Sequence, residues 1–336
     1  MIQLQDIAEK MTGKGKGVLA ADESTPTCSK RFESVGVGPT FENRNEYRDL
    51  LITAEGMEEY IGGVIMFDET LRQSTTCDEK VPFPDHLTSK GVVPGIKVDT
   101  GAKNLAGFNG EKVTEGLDGL RERLAEYYDL GARFAKWRAV ITIGDNMPSI
   151  ACYQANTHAL ARYAALCQEA GLVPIVEPEV LMDGNHTIDK CYEVTETALK
   201  MTFGQLEKQN VAMEGMVLKP NMIISALNCS DQASVEQVAE MTLKCLKNNV
   251  PESVTGIAFL SGGQSSDLAT SHLNAMNEID SNLSWNLTFS YGRALQQDAL
   301  NAWKGANRKE AQEAFLKRAR ENSLATMGNF SKSTIQ

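Results

Sequence analysis

Six ionisable residues interrupt or end short apolar runs of the chain, which is an unusual place for charge. They are Asp22, Lys97, Lys136, Glu177, Glu179 and Lys219. Strands of a parallel sheet are buried on both faces and are normally almost wholly apolar. Burying an uncompensated ion costs several kcal/mol, which stability alone rarely justifies. The six together therefore favour a functional site over separate strand-end residues that reach solvent or form structural ion pairs.

Three of these residues are lysines, and a neutral lysine amine can form an imine with a ketone. A free lysine has a pKa of about 10.4, so it is protonated at neutral pH and needs burial or a cationic neighbour to become a nucleophile. Lys136 can be that neighbour for Lys219. Carboxylates beside them can carry the protons that carbinolamine dehydration and carbon–carbon cleavage require. The set of residues therefore suits imine chemistry at a carbonyl group.

Two glycine-containing runs have the composition of anion-binding loops. They are Leu260-Ser261-Gly262-Gly263-Gln264-Ser265 and Ser290-Tyr291-Gly292-Arg293. Glycine lets backbone amides approach a phosphate near a helix N-terminus. Glycines at strand ends are more often plain turn residues, so the first run alone is a weak signal. Its place after the seventh predicted strand, with Arg293 after the eighth, is where barrel enzymes often hold phosphate.

Eight short apolar runs predict the strands that position these residues. The runs are 17–22, 63–68, 93–99, 134–143, 173–179, 216–222, 256–263 and 287–293. Alternation of eight strands with helices predicts an α/β fold, a single (β/α)8 TIM barrel. Because side chains alternate along a strand, Lys136 and Arg138 share one face, as do Glu177 and Glu179. If these faces point inward, the charges meet at the C-terminal mouth of the barrel.

The segments between the strands have apolar residues at spacings of three and four, which predicts helices. The predicted helices are 42–60, 117–130, 149–170, 188–209, 234–247, 265–279 and 294–304. Extra helices are expected at both ends, one in the first twelve residues, covering the barrel floor, and one at 309–327. No linker or repeat divides the chain, so residues 1–336 are expected to form a single domain with a mobile C-terminal tail at 328–336.

Composition limits the possible partners and compartments. A net charge of -11 and a pI near 5.0 argue against binding to nucleic acid or to an anionic membrane. The seven cysteines suit reduced thiols of the cytoplasm, no signal peptide is expected, and the sequence contains no 18-residue apolar stretch. The four histidines are not spaced as a ligand pair, so a catalytic metal is not expected. No cofactor is expected either.

At these residues the sequence resembles the class I fructose-bisphosphate aldolase family, from about Gly13 to Met327. The lysine signature of that family, E-G-x-L-L-K-P-N, is present at residues 214–221, with Val217 in place of the first Leu. Supporting runs are 19–25, 95–99, 134–138, 175–179 and 260–264. The resemblance implies that Lys219 forms a Schiff base and that the reaction is reversible cleavage of fructose 1,6-bisphosphate to dihydroxyacetone phosphate and glyceraldehyde 3-phosphate, without a metal.

The resemblance also implies roles for the residues around Lys219. Glu177 would be the general acid and base of the carbinolamine, and Lys136 would hold its hydroxyl group and keep Lys219 neutral. Asp22 would accept the proton of the C4 hydroxyl, and Glu179 would support the proton network. The C1 phosphate is expected at Ser261, Gly262 and Arg293, with Gly263, Ser290 and Gly292 in the same loops. The C6 phosphate is expected at Ser24, Thr27 and Lys97, with Arg31 and Arg138 nearby.

The chain departs from the family pattern in two places. Pro26-Thr27 stands where the family has Gly-Ser, which keeps a hydroxyl and stiffens the backbone. Many members end in a tyrosine that folds over the site, whereas Tyr291 is the last tyrosine here. The enamine is therefore expected to take its proton from another group or from water, and the preference between fructose 1,6-bisphosphate and fructose 1-phosphate stays open.

Two alternative functions are weighed against this one. The first is a related Schiff-base aldolase that acts on fructose 1-phosphate or sedoheptulose bisphosphate, or that transfers a dihydroxyacetone unit. The second is a non-catalytic scaffold, which gives no physical reason to keep Asp22, Lys136, Glu177 and Lys219 buried together. The expected partners are a phosphorylated sugar and further copies of the chain. A homotetramer is what the resemblance implies.

Overall fold

Eight parallel strands close into a barrel in the computed structural model, which describes residues 2–331. The strands of the chain are β1 (Gly17–Ala21), β2 (Ile61–Met66), β3 (Val93–Lys97), β4 (Gly101–Asn104), β5 (Lys112–Glu115), β6 (Phe134–Ile141), β7 (Val173–Val180), β8 (Val217–Leu218), β9 (Gly256–Phe259) and β10 (Asn286–Tyr291). The barrel order is β1-β2-β3-β6-β7-β8-β9-β10, and β10 pairs with β1 to close it. The predicted (β/α)8 barrel is confirmed.

Twelve α-helices are present among the described residues. They are α1 (Ile2–Thr12), α2 (Thr25–Glu33), α3 (Phe41–Ile52), α4 (Asp68–Leu71), α5 (Phe83–Ser89), α6 (Leu120–Asp129), α7 (Ile150–Glu169), α8 (Ile188–Lys208), α9 (Val235–Asn249), α10 (Ser266–Ile279), α11 (Arg293–Trp303) and α12 (Arg308–Ala325). Each predicted helix has a counterpart, including the extra helices at the two ends. None of the helices within residues 2–331 is long and apolar enough to cross a membrane.

The barrel interior is filled by inward-facing apolar side chains, as the alternation along the strands predicted. Phe134 and Val217 belong to this interior cluster, and Leu4, Ala8 and Met11 of α1 pack into the same cluster. The N-terminal helix therefore covers the barrel floor, as expected. A side chain at Gly95 would lie 2.2 Å from the Phe134 ring, so glycine at this position makes room for that ring.

Several parts of the structure differ from the sequence prediction, among them the short helices α4 and α5, which were not predicted. The long loop before β6 contains an antiparallel pair, β4 with β5, whose short strands are mostly polar. The predicted helix 42–60 ends at Ile52, where the next residue, Thr53, leaves the helical conformation (φ -102°, ψ 12°). Gly56, in a left-handed conformation (φ +87°), then starts a short 3-10 turn at Met57–Glu59. The helix α2 was not predicted, because Cys28 and Phe32 are its only buried residues and give a weak apolar period.

The strand β8 is much shorter than the apolar run that predicted it. After Leu218, the backbone N–H of Lys219 still donates to Val176 at 2.8 Å, but Pro220 has no N–H to continue the ladder. Pro220 still accepts a hydrogen bond from the backbone N–H of Leu260 at 3.1 Å, but it donates none, and the ladder ends there. This ending places the lysine at the mouth of the barrel.

The C-terminal segment packs on the body of the protein as far as it is described. The Arg318 guanidinium donates to the Thr270 hydroxyl at 2.7 Å, which ties α12 to α10. The backbone N–H of Asn329 donates to Leu324, and that of Phe330 donates to Asn274 Oδ1 at 2.8 Å. The remaining residues of the expected mobile tail, 332–336, lie outside the described residues. These contacts support the proposal that the chain forms a single domain.

Candidate active site

Four of the predicted residues form a continuous row of ion pairs at the mouth of the barrel. Asp22 follows β1, Lys136 lies in β6, Glu177 lies in β7 and Lys219 follows β8. Lys136 Nζ lies 2.8 Å from Asp22 Oδ2 and 3.1 Å from Glu177 Oε2. Glu177 Oε1 lies 3.1 Å from Lys219 Nζ. The charges therefore alternate along the row Asp22, Lys136, Glu177 and Lys219, and all four side chains are buried.

The two lysines of this row have opposite pKa shifts. Burial lowers the pKa of Lys219; Glu177 opposes this effect, Lys136 adds to it, and the net pKa lies below that of a free lysine. Burial also lowers the pKa of Lys136, but the charges of Asp22 and Glu177 outweigh it and raise the pKa. Lys136 therefore stays a cation, and Lys219 is the amine that loses its proton more easily.

Both carboxylates of the row are held in the ionised form. Burial acts to raise the pKa of Asp22, but the positive charges of Lys136 and Lys219 outweigh it and lower the pKa. The pKa of Glu177 is also lowered, because the same two lysines overcome the effect of its burial. At neutral pH the site therefore has two anions that can accept protons, and Glu177 contacts both lysines.

Two further cations of the mouth have carboxylate partners of their own. Lys97, at the end of β3, donates from Nζ to Asp99 Oδ1 at 2.6 Å and to the Asp99 carbonyl at 2.9 Å. Arg138 donates from Nε to Glu179 Oε2, and its pKa is raised because this ion pair outweighs the effect of burial. An ammonium group has three donors, so one N–H of Lys97 remains for an anion.

The predicted phosphate loops meet on the opposite side of the mouth. Gly262 and Gly263 have φ values of +62° and +102°, a region that favours glycine, and a side chain at Gly263 would lie 3.2 Å from Arg293 Nη2. The buried hydroxyl of Ser290 has no hydrogen-bond partner within residues 2–331. A buried hydroxyl without a partner, lining the same cavity as Arg293, is suited to bind a phosphate oxygen.

The row of ion pairs and the predicted phosphate loops line one cavity of about 570 Å³. Every predicted site residue except Gly263 lines it: Asp22, Ser24, Thr27, Arg31, Lys97, Lys136, Arg138, Glu177, Glu179, Lys219, Ser261, Gly262, Ser290, Gly292 and Arg293. Gly263 lies beside the Arg293 side chain. Across residues 2–331, no group of three or more His, Cys, Asp or Glu side chains is placed to hold a metal ion.

Part of the cavity wall was not predicted from the sequence; it is formed by Glu23, Lys30 and Ser34. Lys30 and Ser34 lie on and just after α2. Glu23 is bound by Arg31 and lies 2.7 Å from Arg48 Nη1. The spacing of three and four residues among Thr27, Lys30, Arg31 and Ser34 was the available signal, since it places these polar side chains on one helix face.

Comparisons with known proteins give a consistent result. The family model "Fructose-bisphosphate aldolase class-I" matches residues 3–336. The chain is 56% identical over 331 residues to a probable fructose-bisphosphate aldolase class 1 of Xanthomonas axonopodis pv. citri, covering 98% of each chain. It is 51% identical to the cytosolic fructose-bisphosphate aldolase 4 of Arabidopsis thaliana, covering 94% of this chain and 80% of that one.

A solved structure is similar over nearly the whole chain. It is the fructose-bisphosphate aldolase of Plasmodium falciparum, in a ternary complex with TRAP and a small-molecule inhibitor. The TM-score is 0.96 at 44% identity, and the match covers 98% of this chain and 95% of that one. The two chains therefore share the same barrel fold, and 44% identity indicates common ancestry.

Proposed function

Because the chain belongs to the class I fructose-bisphosphate aldolase family and is an aldolase, we propose that Lys219 is the amine that forms the Schiff base with its substrate. The reaction is the reversible cleavage of fructose 1,6-bisphosphate to dihydroxyacetone phosphate and glyceraldehyde 3-phosphate. The observation that carries the assignment is the contact of Lys219 Nζ with Glu177 Oε1 at 3.1 Å, in a buried setting that lowers the lysine pKa.

Glu177 is positioned to move the protons of Schiff-base formation. The Lys219 ammonium gives one proton to Glu177, and the free amine attacks C2 of the ketose. The second amine proton moves to the former ketone oxygen, which gives the carbinolamine. Glu177 returns its proton to this hydroxyl as it leaves as water, so the iminium forms with all protons accounted for. Lys136, 3.1 Å from Glu177 Oε2, stays charged and stabilises the carboxylate and the hydroxyl group.

Asp22 is assigned to the cleavage step. Its carboxylate accepts the proton of the C4 hydroxyl while the electrons of the C3–C4 bond move into the iminium on Lys219. The low pKa of Asp22 makes it a weak base at rest, so the electron flow into the iminium must drive the proton transfer. Glyceraldehyde 3-phosphate leaves, and the enamine is then protonated at C3 and hydrolysed to dihydroxyacetone phosphate.

The two phosphates are assigned to opposite sides of the cavity. Ser261, Gly262 and Arg293 bind the C1 phosphate, and Ser24, Thr27 and Lys97 bind the C6 phosphate. Arg31 and Arg138 add positive charge on the C6 side, and Gly263, Ser290 and Gly292 shape the C1 side. The concentration of these cations around one cavity, in a chain whose net charge is -11, supports the assignment of the cavity to an anionic substrate.

Reductive trapping tests the assignment of Lys219. The protein is incubated with fructose 1,6-bisphosphate and EDTA, reduced with borohydride and mapped by peptide mass spectrometry. We expect a triose phosphate or hexose bisphosphate adduct on Lys219, and none in the Lys219→Met variant. An adduct on another lysine, or loss of the adduct when EDTA is added, would contradict the proposed mechanism.

We also propose that the enzyme works in the cytoplasm as a homotetramer. The cytosolic Arabidopsis relative and the seven free cysteines support the compartment. The tetramer is the expectation from the family. Light scattering coupled to gel filtration should then give four times the chain mass of 36.7 kDa, and a mass of 36.7 kDa would overturn the proposal.

A further inference from the structure

A side-chain network behind the phosphate loop connects it to α10. The side-chain amide of Gln264 donates from Nε2 to the Ser261 carbonyl at 3.1 Å, and the backbone N–H of Gln264 donates to the same carbonyl at 3.0 Å. His272, which is 2% exposed, lies 2.6 Å through Nδ1 from Gln264 Oε1. Neither Gln264 nor His272 lines the catalytic cavity.

The donors and acceptors of this network can be assigned from the Ser261 carbonyl. A carbonyl only accepts hydrogen bonds, so Gln264 must direct its NH₂ group toward Ser261 and its oxygen toward His272. The His272 Nδ1 must then carry a proton. His272 Nε2 is buried without a partner among residues 2–331, so a second proton there would be an unpaired donor. This agrees with burial lowering the pKa of His272 to about 4, which Glu236 opposes.

The network also fixes the orientation of a backbone amide in the loop that lines the cavity. In a planar trans peptide the C=O and N–H groups point in opposite directions. Holding the Ser261 carbonyl toward Gln264 therefore turns the Gly262 N–H away from Gln264. Ser261 and Gly262 both line the cavity, which makes this N–H available to a phosphate oxygen.

We propose that Gln264 and His272 are positioning residues for the C1 phosphate: Gln264 holds the Ser261 carbonyl, and His272 holds the Gln264 amide in the orientation that presents the Gly262 N–H. The inference rests on the proposed function for the identity of the ligand. Neither residue touches the substrate, so both act through the loop. Losing the network weakens the binding of a phosphorylated triose and leaves the binding of an unphosphorylated triose unchanged.

The test compares two trioses in borohydride trapping on Lys219. Half-saturating concentrations of dihydroxyacetone phosphate and dihydroxyacetone are measured for the wild type, for His272→Leu, which removes the donor, and for His272→Asn, whose amide places a donor near the Nδ1 position. His272→Leu should raise the value for dihydroxyacetone phosphate about tenfold, which corresponds to about 1.4 kcal/mol. It should leave the value for dihydroxyacetone unchanged. His272→Asn should stay within about twofold of the wild type.

Controls separate the loop from the fold and from the chemistry. Ser271→Ala, on the same helix, should behave as the wild type, and Gln264→Leu should reproduce His272→Leu and replaces it if His272→Leu does not fold. Equal shifts for both trioses, no shift, or failure of His272→Asn to restore binding would overturn the inference. If the wild type traps neither triose on Lys219, the proposed function fails. Calorimetric titration with dihydroxyacetone phosphate then decides the role of the loop by comparing the same variants.

Discussion

Replacing Glu177 by glutamine tests the proton-transfer role of the central carboxylate. The side chain keeps its size, and one oxygen remains, but the negative charge between Lys136 and Lys219 is lost. Glu177 lies 3.1 Å from each of these amines, so both cations lose their shared partner. The pKa of Lys219 should fall further, because Glu177 is the charge that raises it most. In Glu177→Gln, a larger fraction of Lys219 is therefore the neutral amine, but no carboxylate is present to carry the protons of Schiff-base formation.

The expected effects on rate and on stability can be separated. General acid–base catalysis contributes about 10²–10⁴ in rate, so Schiff-base formation should slow by this factor, or by about 3–5 kcal/mol of barrier. Breaking a buried ion pair by removing one partner costs about 3–5 kcal/mol of stability. Neutralisation of Lys219 offsets part of that cost. A slow but well-populated imine distinguishes this mechanism from a simple loss of binding.

Rapid-quench borohydride trapping with dihydroxyacetone phosphate across pH 5–10 measures both effects. Glu177→Asp serves as the matched control, since it keeps the charge and shortens the reach. In Glu177→Gln the pH at which trapping begins should move to lower values, and the maximal rate should fall. The reasoning would be refuted if the trapping rate stays within about threefold of the wild type, or if the pH profile moves to higher values.

Three other perturbations test separate parts of the site. Gly263→Ala should raise the KM for fructose 1,6-bisphosphate about tenfold, because it strains a backbone at φ +102° and crowds Arg293, and steady-state kinetics with unchanged KM would contradict this. Lys97→Met should raise the KM for fructose 1,6-bisphosphate more than the KM for fructose 1-phosphate, and equal changes would remove Lys97 from the C6 phosphate site. The folded-state pKa of His272 is lowered from 6.5 to about 4, so the unfolded chain binds more protons in that interval. The free energy of unfolding should therefore fall by about 3 kcal/mol as the pH drops from 6.5 to 4, and denaturant titrations of His272→Asn should have a smaller slope with pH.

The sequence was sufficient to predict the barrel and the charged residues at the ends of its strands. The strand period of two placed Lys136 and Glu177 inward, and the structure brings them within 3.1 Å of each other. A charge in an otherwise apolar strand is visible in the sequence because a buried parallel strand tolerates so few of them. For this reason the central row of the site was predicted residue by residue.

Other parts of the site could not be predicted, because they depend on contacts between structural elements. The helix α2 buries only two side chains, so its periodicity was too weak to place Lys30 or Ser34. The antiparallel pair of β4 and β5 is short and polar. His272 looks like any helix residue in the sequence, and its hydrogen bond with Gln264, eight residues earlier, exists only in the folded chain. These features are set by packing between elements, which outweighs local propensity.

The helix α1, which fills the floor of the barrel, also determines the route by which substrate and products enter and leave the site. With Leu4, Ala8 and Met11 packed into the interior, the sugar, both products and the water of imine formation exchange through the mouth. In the proposed mechanism, glyceraldehyde 3-phosphate carries no bond to the protein after cleavage, whereas the other three carbons remain attached to Lys219. The aldehyde must therefore depart before the ketone, and in the direction of synthesis it must arrive second. The order of release therefore follows from the covalent bond to Lys219, and the closed floor of the barrel makes both products leave through the same opening.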